Sequence, residues 1–226
     1  MKRSARYLEA KAKVDPEKAY AIDEALSILK DMKSTKFDET VELHLKLGID
    51  VKKADQNIRG TISLPHGIGR SVRVIAFARG DKAAAAKAAG ADEVGDDDLA
   101  KKIEGGWTDF DIAIAAPDMM RVVGKLGRVL GPQGKMPSPK SGTVAEDVGK
   151  AVAEFKAGKI EYRADASGNL HVPTGKRSFD VQKLKENVEM MLNHIRSIKP
   201  AAAKGRYIQK VVLCTSMGPG IRLAVE

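Results

Sequence analysis

The fold of this chain is decided by one stretch, Lys36-Phe37-Asp38-Glu39-Thr40-Val41-Glu42-Leu43-His44-Leu45-Lys46-Leu47-Gly48-Ile49-Asp50. Apolar side chains stand at every second position from Val41 to Ile49, and Glu42, His44 and Lys46 stand between them. This period of two predicts a strand over 37–50 with one buried and one exposed face. An exposed row of charged side chains can bind a ligand, but antiparallel sheets often leave one face in water, so the row alone leaves both interpretations open.

Composition restricts the class of protein. The 226 residues suffice for one or two domains, and the 43% hydrophobic content suffices for a buried core. A formal net charge of +9 favours a polyanionic partner, nucleic acid before an anionic membrane, although a basic soluble protein would carry the same charge. No apolar run approaches the roughly 18 residues of a membrane span. No hydrophobic signal region follows the basic residues 1–6, so we expect no membrane partner and no classical export.

The chain begins and ends with the same alternation of helices and antiparallel strands. Residues 1–14 are basic and weakly patterned, and we expect them to cover a surface or lie along the partner. Asp15-Pro16-Glu17 predicts the start of a helix that runs to about Lys33. The other expected elements are strands at 60–64, 207–214 and 221–225, a hairpin of 159–164 with 169–172 across the turn 165–168, and a long helix at 181–198.

The middle of the chain has a different pattern. Short apolar segments at 72–78, 93–94 and 111–115 predict buried strands, and they alternate with expected helices at 81–89, 96–104, 119–126 and 144–155. Repeated β-α units of this size imply a parallel sheet with helices on both faces.

These patterns predict a split α+β domain, residues 1–67 plus 160–226, with one antiparallel sheet of about six strands covered by helices. It carries an inserted α/β Rossmann-like three-layer domain, residues 68–159. The two crossings would form a hinge at Gly67 or Gly69 and at Gly158; one continuous domain is the alternative. The inserted segment has 15 basic and 13 acidic residues, whereas the rest has 24 and 17. The split domain would therefore make the main contact with a polyanion.

We find no catalytic constellation. The only cysteine, Cys214, lies in an apolar run and is expected to be a buried inert thiol. A single cysteine predicts no intramolecular disulfide and no cysteine-based metal site, and it fits a reducing cytoplasm. The four histidines form no HxH or HExxH motif, and the Gly67-x-Gly69 segment lacks the third glycine of a dinucleotide fingerprint. We therefore expect no metal, no cofactor and no enzymatic activity.

Two loops stand out. The Gly- and Pro-rich segment 126–139 could turn Arg128, Lys135 and Lys140 towards phosphates, or it could be a structural connection. The turn 215–220 offers two hydroxyls and bare glycine backbone, which can approach ribose 2′-hydroxyls, or it could be an ordinary turn.

Three motifs together resemble the bacterial form of the large-subunit ribosomal protein L-one family: the loop 130–137 (LGPQGKMP), the strand entry 37–42 (FDETVE) and the turn 216–219 (SMGP). The resemblance covers essentially the whole chain in order. It implies the split two-domain fold and a cytoplasmic protein of the ribosome that binds the large-subunit ribosomal RNA of the mobile stalk beside other ribosomal components. It also implies that the protein assists the movement and release of exit-site tRNA and represses translation of its own mRNA. Off the ribosome the resemblance implies a monomer.

The resemblance places RNA binding on the split domain. The residues it implies are Lys36, Phe37, Thr40, Glu42, Lys46, His171, Gly175, Lys176, Thr215, Ser216, Met217 and Gly218. The family often has threonine where Ser216 stands; serine keeps the hydroxyl and loses a methyl. Hydroxyls and backbone suit a minor groove that displays 2′-hydroxyls. Glu42 would accept hydrogen bonds from ribose or orient Lys46.

Two other functions remain open on the residues alone. A small α/β enzyme could use the 126–140 loop as a phosphate- or nucleotide-binding cradle. A general nucleic-acid chaperone would bind without structural preference.

Overall fold

The computed structural model of the protein describes residues 3–53 and 55–224. Met1 and Lys2 of the basic N-terminus and Val225 of the expected last strand lie outside the described residues. The chain divides into two units, Met1–Gly69 with Tyr162–Glu226 and Arg70–Glu161. No helix among the described residues is long and apolar enough to span a bilayer.

The helices and strands alternate along the whole chain, as in a mixed α/β protein. In chain order they are α1 (Ala5–Ala12), α2 (Ile22–Asp31), β1 (Thr40–Leu47), β2 (Arg59–Ser63), β3 (Val74–Phe77), α3 (Gly80–Ala88), β4 (Glu93–Gly95), α4 (Asp97–Glu104), β5 (Ile112–Ala115), α5 (Met120–Val123), α6 (Gly127–Leu130), α7 (Val148–Lys156), β6 (Lys159–Arg163), β7 (Asn169–Lys176), α8 (Val181–Ser197), β8 (Ile208–Thr215) and β9 (Ile221–Leu223).

The first unit is built on a four-stranded sheet in the order β7-β1-β8-β9. β1 pairs antiparallel with β7 on one side and with β8 on the other, so it lies inside the sheet. Its inward side chains are the apolar positions of the alternation, and Val41, Leu43, Leu45 and Leu47 are at most 1% exposed. Burying each of them contributes about 1.5–3 kcal/mol. The strand interpretation of this stretch is therefore confirmed over 40–47.

Helices α2 and α8 supply the other side of this core. Leu26 and Leu29 of α2 and Leu184, Val188 and Met191 of α8 are buried, and α8 follows the apolar spacing expected for 181–198. The opposite face of the sheet keeps its polar side chains half-exposed.

The structure adds a helix to the N-terminal region and shows that the expected helix start at Asp15 is wrong. Residues 5–12 form α1, capped by the Ser4 hydroxyl, which accepts from the Tyr7 N–H at 3.3 Å. The next helix begins at Ile22 and not at Asp15, because Tyr20 pairs with the edge strand and its N–H donates to the Arg222 carbonyl at 2.9 Å. This tertiary pairing keeps the chain extended where local sequence favoured a helix.

The expected hairpin of 159–164 with 169–172 is also wrong, as is the single sheet of about six strands. β6 pairs with β2 in a separate two-stranded sheet, and β7 pairs with β1. The turn at 165–168 is present, but it carries the chain from one sheet to another.

The second unit contains a three-stranded sheet in the order β4-β3-β5. β3 pairs parallel with both neighbours, and its four residues are buried, as the apolar run predicted. The expected helix 119–126 is instead broken into short α and 3-10 turns, and α7 begins at Val148 with the Asp147 carboxylate as its cap. Lys135 of the Gly/Pro loop donates to the Thr108 carbonyl at 2.9 Å, which engages its ammonium within the protein.

Candidate nucleic-acid interface

The start of β1 and the end of β8 are tied together by a set of hydrogen bonds. The Ser216 N–H donates to the Thr40 carbonyl at 3.0 Å, and the Thr40 N–H donates to the Ser216 hydroxyl at 3.1 Å. The Lys176 ammonium donates to the Thr40 hydroxyl at 3.0 Å. We call Thr40, Lys176, Ser216, Met217 and Gly218 the strand-end platform. Two hydroxyls and a cation are fixed there at the edge of the exposed face.

A buried carboxylate lies beneath the platform. Glu39 is 0% exposed, and its carboxylate accepts from the Met217 N–H and the Thr35 N–H, each at 3.2 Å. The guanidinium groups of Arg6 and Arg177 lie 3.7 and 3.6 Å from the same carboxylate. Burial raises the pKa of Glu39, but hydrogen bonds from the Thr215 hydroxyl, Met217 and Thr35 outweigh it, so the pKa lies below its ordinary value. An ionised Glu39 therefore anchors the turn.

Helix α1 lies beside the same turn. The Arg6 guanidinium donates to the Met217 carbonyl at 2.9 Å. A groove of about 550 Å³ runs between α1 and the turn, lined by Arg3, Ser4, Arg6, Tyr7, Ser216, Met217 and Gly218. Two arginines at a hydroxyl-rich groove form a surface suited to phosphate and ribose together.

Three expected site residues have side chains that reach solvent here. Phe37 is 56% exposed and Met217 is 52% exposed, which is unusual for large apolar side chains in this fold. Lys36 is exposed beside Phe37. Both apolar side chains are available to stack or pack against a partner.

Two other expected site residues are buried and serve as supports. Thr215 is 4% exposed and turns its hydroxyl to Glu39. Gly175 has a φ of +155°, and a Cβ there would lie 2.9 Å from a methyl of Leu184. Gly218 remains at the surface turn, where a Cβ would lie 2.4 Å from the Thr215 hydroxyl. Glycine at 175 and 218 is thus required by close packing.

The middle of the exposed face carries a pair of histidines. His44 and His171 are opposite each other in the β1–β7 register, and their Nδ1 atoms lie 2.7 Å apart. His44 Nε2 lies 3.0 Å from the Cys214 thiol and 3.7 Å from the Glu42 carboxylate. Burial and the neighbouring His171 lower the pKa of His44, although Glu42 raises it. Glu42 thus lies beside His44, whereas Lys46 donates to the Ser167 carbonyl, so Glu42 does not orient Lys46.

Cys214 corrects an expectation from the sequence. It is half-buried on the outer face, because the alternation in β8 buries Val211 and Leu213 and turns Val212 and Cys214 outwards. Burial raises the pKa of its thiol to about 11, with a further contribution from Glu42, so the free thiol is protonated at neutral pH.

A family comparison decides what kind of protein carries this surface. The model of the "Ribosomal protein L1p/L10e family" matches residues 29–219, most of the chain. The chain belongs to this family. The resemblance seen in the sequence is confirmed, and so is the absence of an enzymatic role, since the family is one of ribosomal structural proteins not known to be enzymatic.

Close relatives of the family cover nearly the whole chain. The large ribosomal subunit protein uL1 of Kosmotoga olearia is 62% identical over 222 residues, which are 98% of this chain and 96% of that protein. The proteins of the same name from Fervidobacterium nodosum and Thermosipho africanus are 59% and 57% identical over 223 residues, 98% of this chain and 95% and 96% of theirs.

The sequence did not identify Glu39, Arg6 or the pairing of His44 with His171 as parts of this site. The alternation of β1 contained the signal for Glu39: it stands two residues before the inward Val41, so the period of two places its carboxylate inside. Arg6 was covered only by the general expectation for the basic residues 1–14, because α1 was not predicted. The pairing of His44 with His171 depends on a register between strands 127 residues apart.

Proposed function

We propose that this chain is a constituent of the large subunit of the cytoplasmic ribosome and binds the ribosomal RNA of the mobile stalk through the strand-end platform. The observation that carries the proposal is the pair of hydroxyls, Thr40 and Ser216, held beside the Lys176 ammonium on a turn that ionised Glu39 anchors. Family membership supports the ribosomal assignment.

The chemistry of the platform suits RNA better than DNA. Ribose 2′-hydroxyls both donate and accept hydrogen bonds, and serine and threonine hydroxyls do the same. Arg3 and Arg6, on the wall of the adjoining groove, would neutralise phosphates. Phe37 and Met217 would pack against sugar or base.

The same surface would also serve the messenger RNA partner when the chain is off the ribosome. A messenger RNA of the chain's own gene that mimics the stalk fold would occupy the platform and be repressed. On the ribosome the protein would contact exit-site tRNA and neighbouring components and help the tRNA move and leave. Gly67 and Gly69, in the first unit, and Gly158, in the second, would act as the hinge of an inserted Rossmann-like three-layer domain.

Binding of the full chain to a stalk ribosomal RNA fragment, measured beside a plain RNA duplex of equal length over a range of salt, tests the proposal. We expect much tighter binding to the stalk fragment, and we expect the difference to persist at high salt. Lys176→Ala should weaken binding and reduce the salt slope by about one. Equal affinities that collapse together would identify a general nucleic-acid chaperone instead.

A further inference from the structure

We propose that the exposed face of the sheet holds a zinc ion, bound by Glu42, His44 and Cys214. The ligand atoms of these three side chains all lie within 4.8 Å of one another. This proposal departs from the expectation of no cysteine-based metal site, because a single cysteine excludes a cluster of thiolates but allows a mixed site. Glu42 and His171 are also among the residues expected to bind RNA, so the proposal concerns the RNA-free chain.

The geometry matches zinc. In a tetrahedral site a sulfur and a nitrogen ligand lie roughly 3.5 Å apart, and nitrogen and oxygen ligands slightly less. His44 Nε2 lies 3.0 Å from the Cys214 sulfur and 3.7 Å from a Glu42 oxygen, each within about half an ångström of these spacings. Thiolate, imidazole and carboxylate together are donors that Zn²⁺ accepts.

The contacts of His44 allow the tautomer that a metal needs. The Nδ1 atoms of His44 and His171 lie 2.7 Å apart, so one of the two rings donates to the other. When His44 donates from Nδ1, the lone pair of its Nε2 is directed at Cys214 and Glu42. The Asp165 carboxylate lies 3.6 Å from His171 Nε2, on the far side of that ring.

This arrangement is the usual outer support of a metal-bound histidine. A histidine that binds metal through one nitrogen commonly donates its other N–H to a fixed acceptor, which raises its basicity and sets the ring orientation. His171, backed by Asp165, is that acceptor. His171 is thus a positioning residue, and the three ligands leave a fourth place for water on the exposed side of the sheet.

Zinc binding includes one proton transfer. The Cys214 thiol gives its proton to solvent as the zinc–sulfur bond forms, and the charge of the thiolate and of Glu42 together balances that of Zn²⁺. The side chains of His44 and Glu42 are 27% and 38% exposed, so the ion can reach them without unfolding of the sheet.

Titration of the full, RNA-free chain with Co²⁺ as a spectroscopic probe, followed by displacement with Zn²⁺, tests the site. We expect one equivalent of tightly bound cobalt, with the strong visible bands of a tetrahedral complex and a thiolate charge-transfer band. Cys214→Ser should abolish the charge-transfer band and the tight binding. His171→Ala should keep the tetrahedral spectrum and weaken binding about 10- to 100-fold.

His66→Gln is the matched control. His66 Nε2 lies 2.5 Å from a Glu186 oxygen, a histidine–carboxylate pair without a thiol, and its loss should leave cobalt binding unchanged. A cobalt spectrum without the thiolate band, or equal zinc affinity in Cys214→Ser, would overturn the proposal. So would loss of binding in His66→Gln. Circular dichroism of the metal-free variants checks that each one folds. If a variant does not fold, Glu42→Gln replaces it. Glu42→Gln should weaken cobalt binding and retain the thiolate band.

Discussion

At the residue scale, the platform depends on hydrogen bonds that two hydroxyls make to the backbone. The Ser216 oxygen accepts from the Thr40 N–H and lies 3.4 Å from the Thr40 carbonyl, so one side chain joins two strands. The Thr40 hydroxyl in turn accepts from Lys176. Each hydroxyl has hydrogen-bonding capacity left for a ligand.

Ser216→Val should weaken binding to the stalk RNA fragment by about 1–3 kcal/mol, because the bound RNA would bury the Thr40 N–H and a ribose hydroxyl without a partner. Filter binding or calorimetry at fixed salt measures the change. Ser216→Thr, which keeps the hydroxyl, should bind like the wild-type chain. Wild-type affinity in Ser216→Val would remove the turn from the RNA site.

Glu39→Gln should lower the free energy of unfolding by about 1–3 kcal/mol. The Glu39 carboxylate is fully buried, and its replacement leaves the charges of Arg6 and Arg177 without their counter-ion. The two arginine side chains are 24% and 11% exposed, so water partly solvates them and limits the loss of stability. Urea unfolding followed by circular dichroism measures it. Glu9→Gln, at an exposed ion pair with Lys33, is the control and should change stability little. Equal effects of the two substitutions would contradict an anchoring role for Glu39.

At the scale of elements, the turn between β6 and β7 is held by one carboxylate. Asp165 accepts from the Asn169 N–H at 2.7 Å, from the Asn169 side-chain amide at 2.9 Å and from the Ser167 N–H at 2.8 Å. These bonds, led by that from the Asn169 backbone, lower the pKa of Asp165 from 3.8 to about 2. The ionised carboxylate thus favours the folded turn.

Asp165→Asn should therefore be less stable than the wild-type chain at neutral pH. Because the folded pKa lies below the unfolded one, the stabilisation by Asp165 is fully present above about pH 4 and is lost as the pH falls towards 2. Unfolding free energies of both proteins across this range should converge at the acid end. A difference that stays constant down to pH 2 would show that the ionised form is not what stabilises the turn.

The sequence predicts several individual helices and strands of this fold, but not how the strands pair. β1, β3 and α8 follow from side-chain periodicity, because each buries one regular set of apolar residues. Strand pairing does not follow from local pattern: β6 leaves β7 for β2, and Tyr20 joins the edge of the sheet where Asp15-Pro16 favoured a helix. All five platform residues were named from the resemblance, whereas the contact of Arg6 with the turn and the pairing of His44 with His171 required the tertiary structure.

At the scale of the whole molecule, positive charge continues along the first unit beyond the platform. Lys46 lies six residues along β1 from Thr40, roughly 20 Å at the usual rise. There it lines a cavity of about 580 Å³ whose other walls include Lys53, Lys204 and Arg206. An RNA bound at the platform and along the exposed face would reach this second basic site.

The pair of substitutions Lys204→Ala and Arg206→Ala should therefore reduce the slope of log affinity against log salt by about 1.4–1.8, since each neutralised phosphate contributes about 0.7–0.9. The preference for the stalk fragment over a plain duplex should persist, because the platform is intact. The matched control removes two exposed cations of the second unit, Arg128→Ala with Lys140→Ala, and should leave the slope unchanged. If both pairs lower the slope equally, affinity follows total charge and not a path along the first unit. If neither does, the RNA ends before it reaches Lys46.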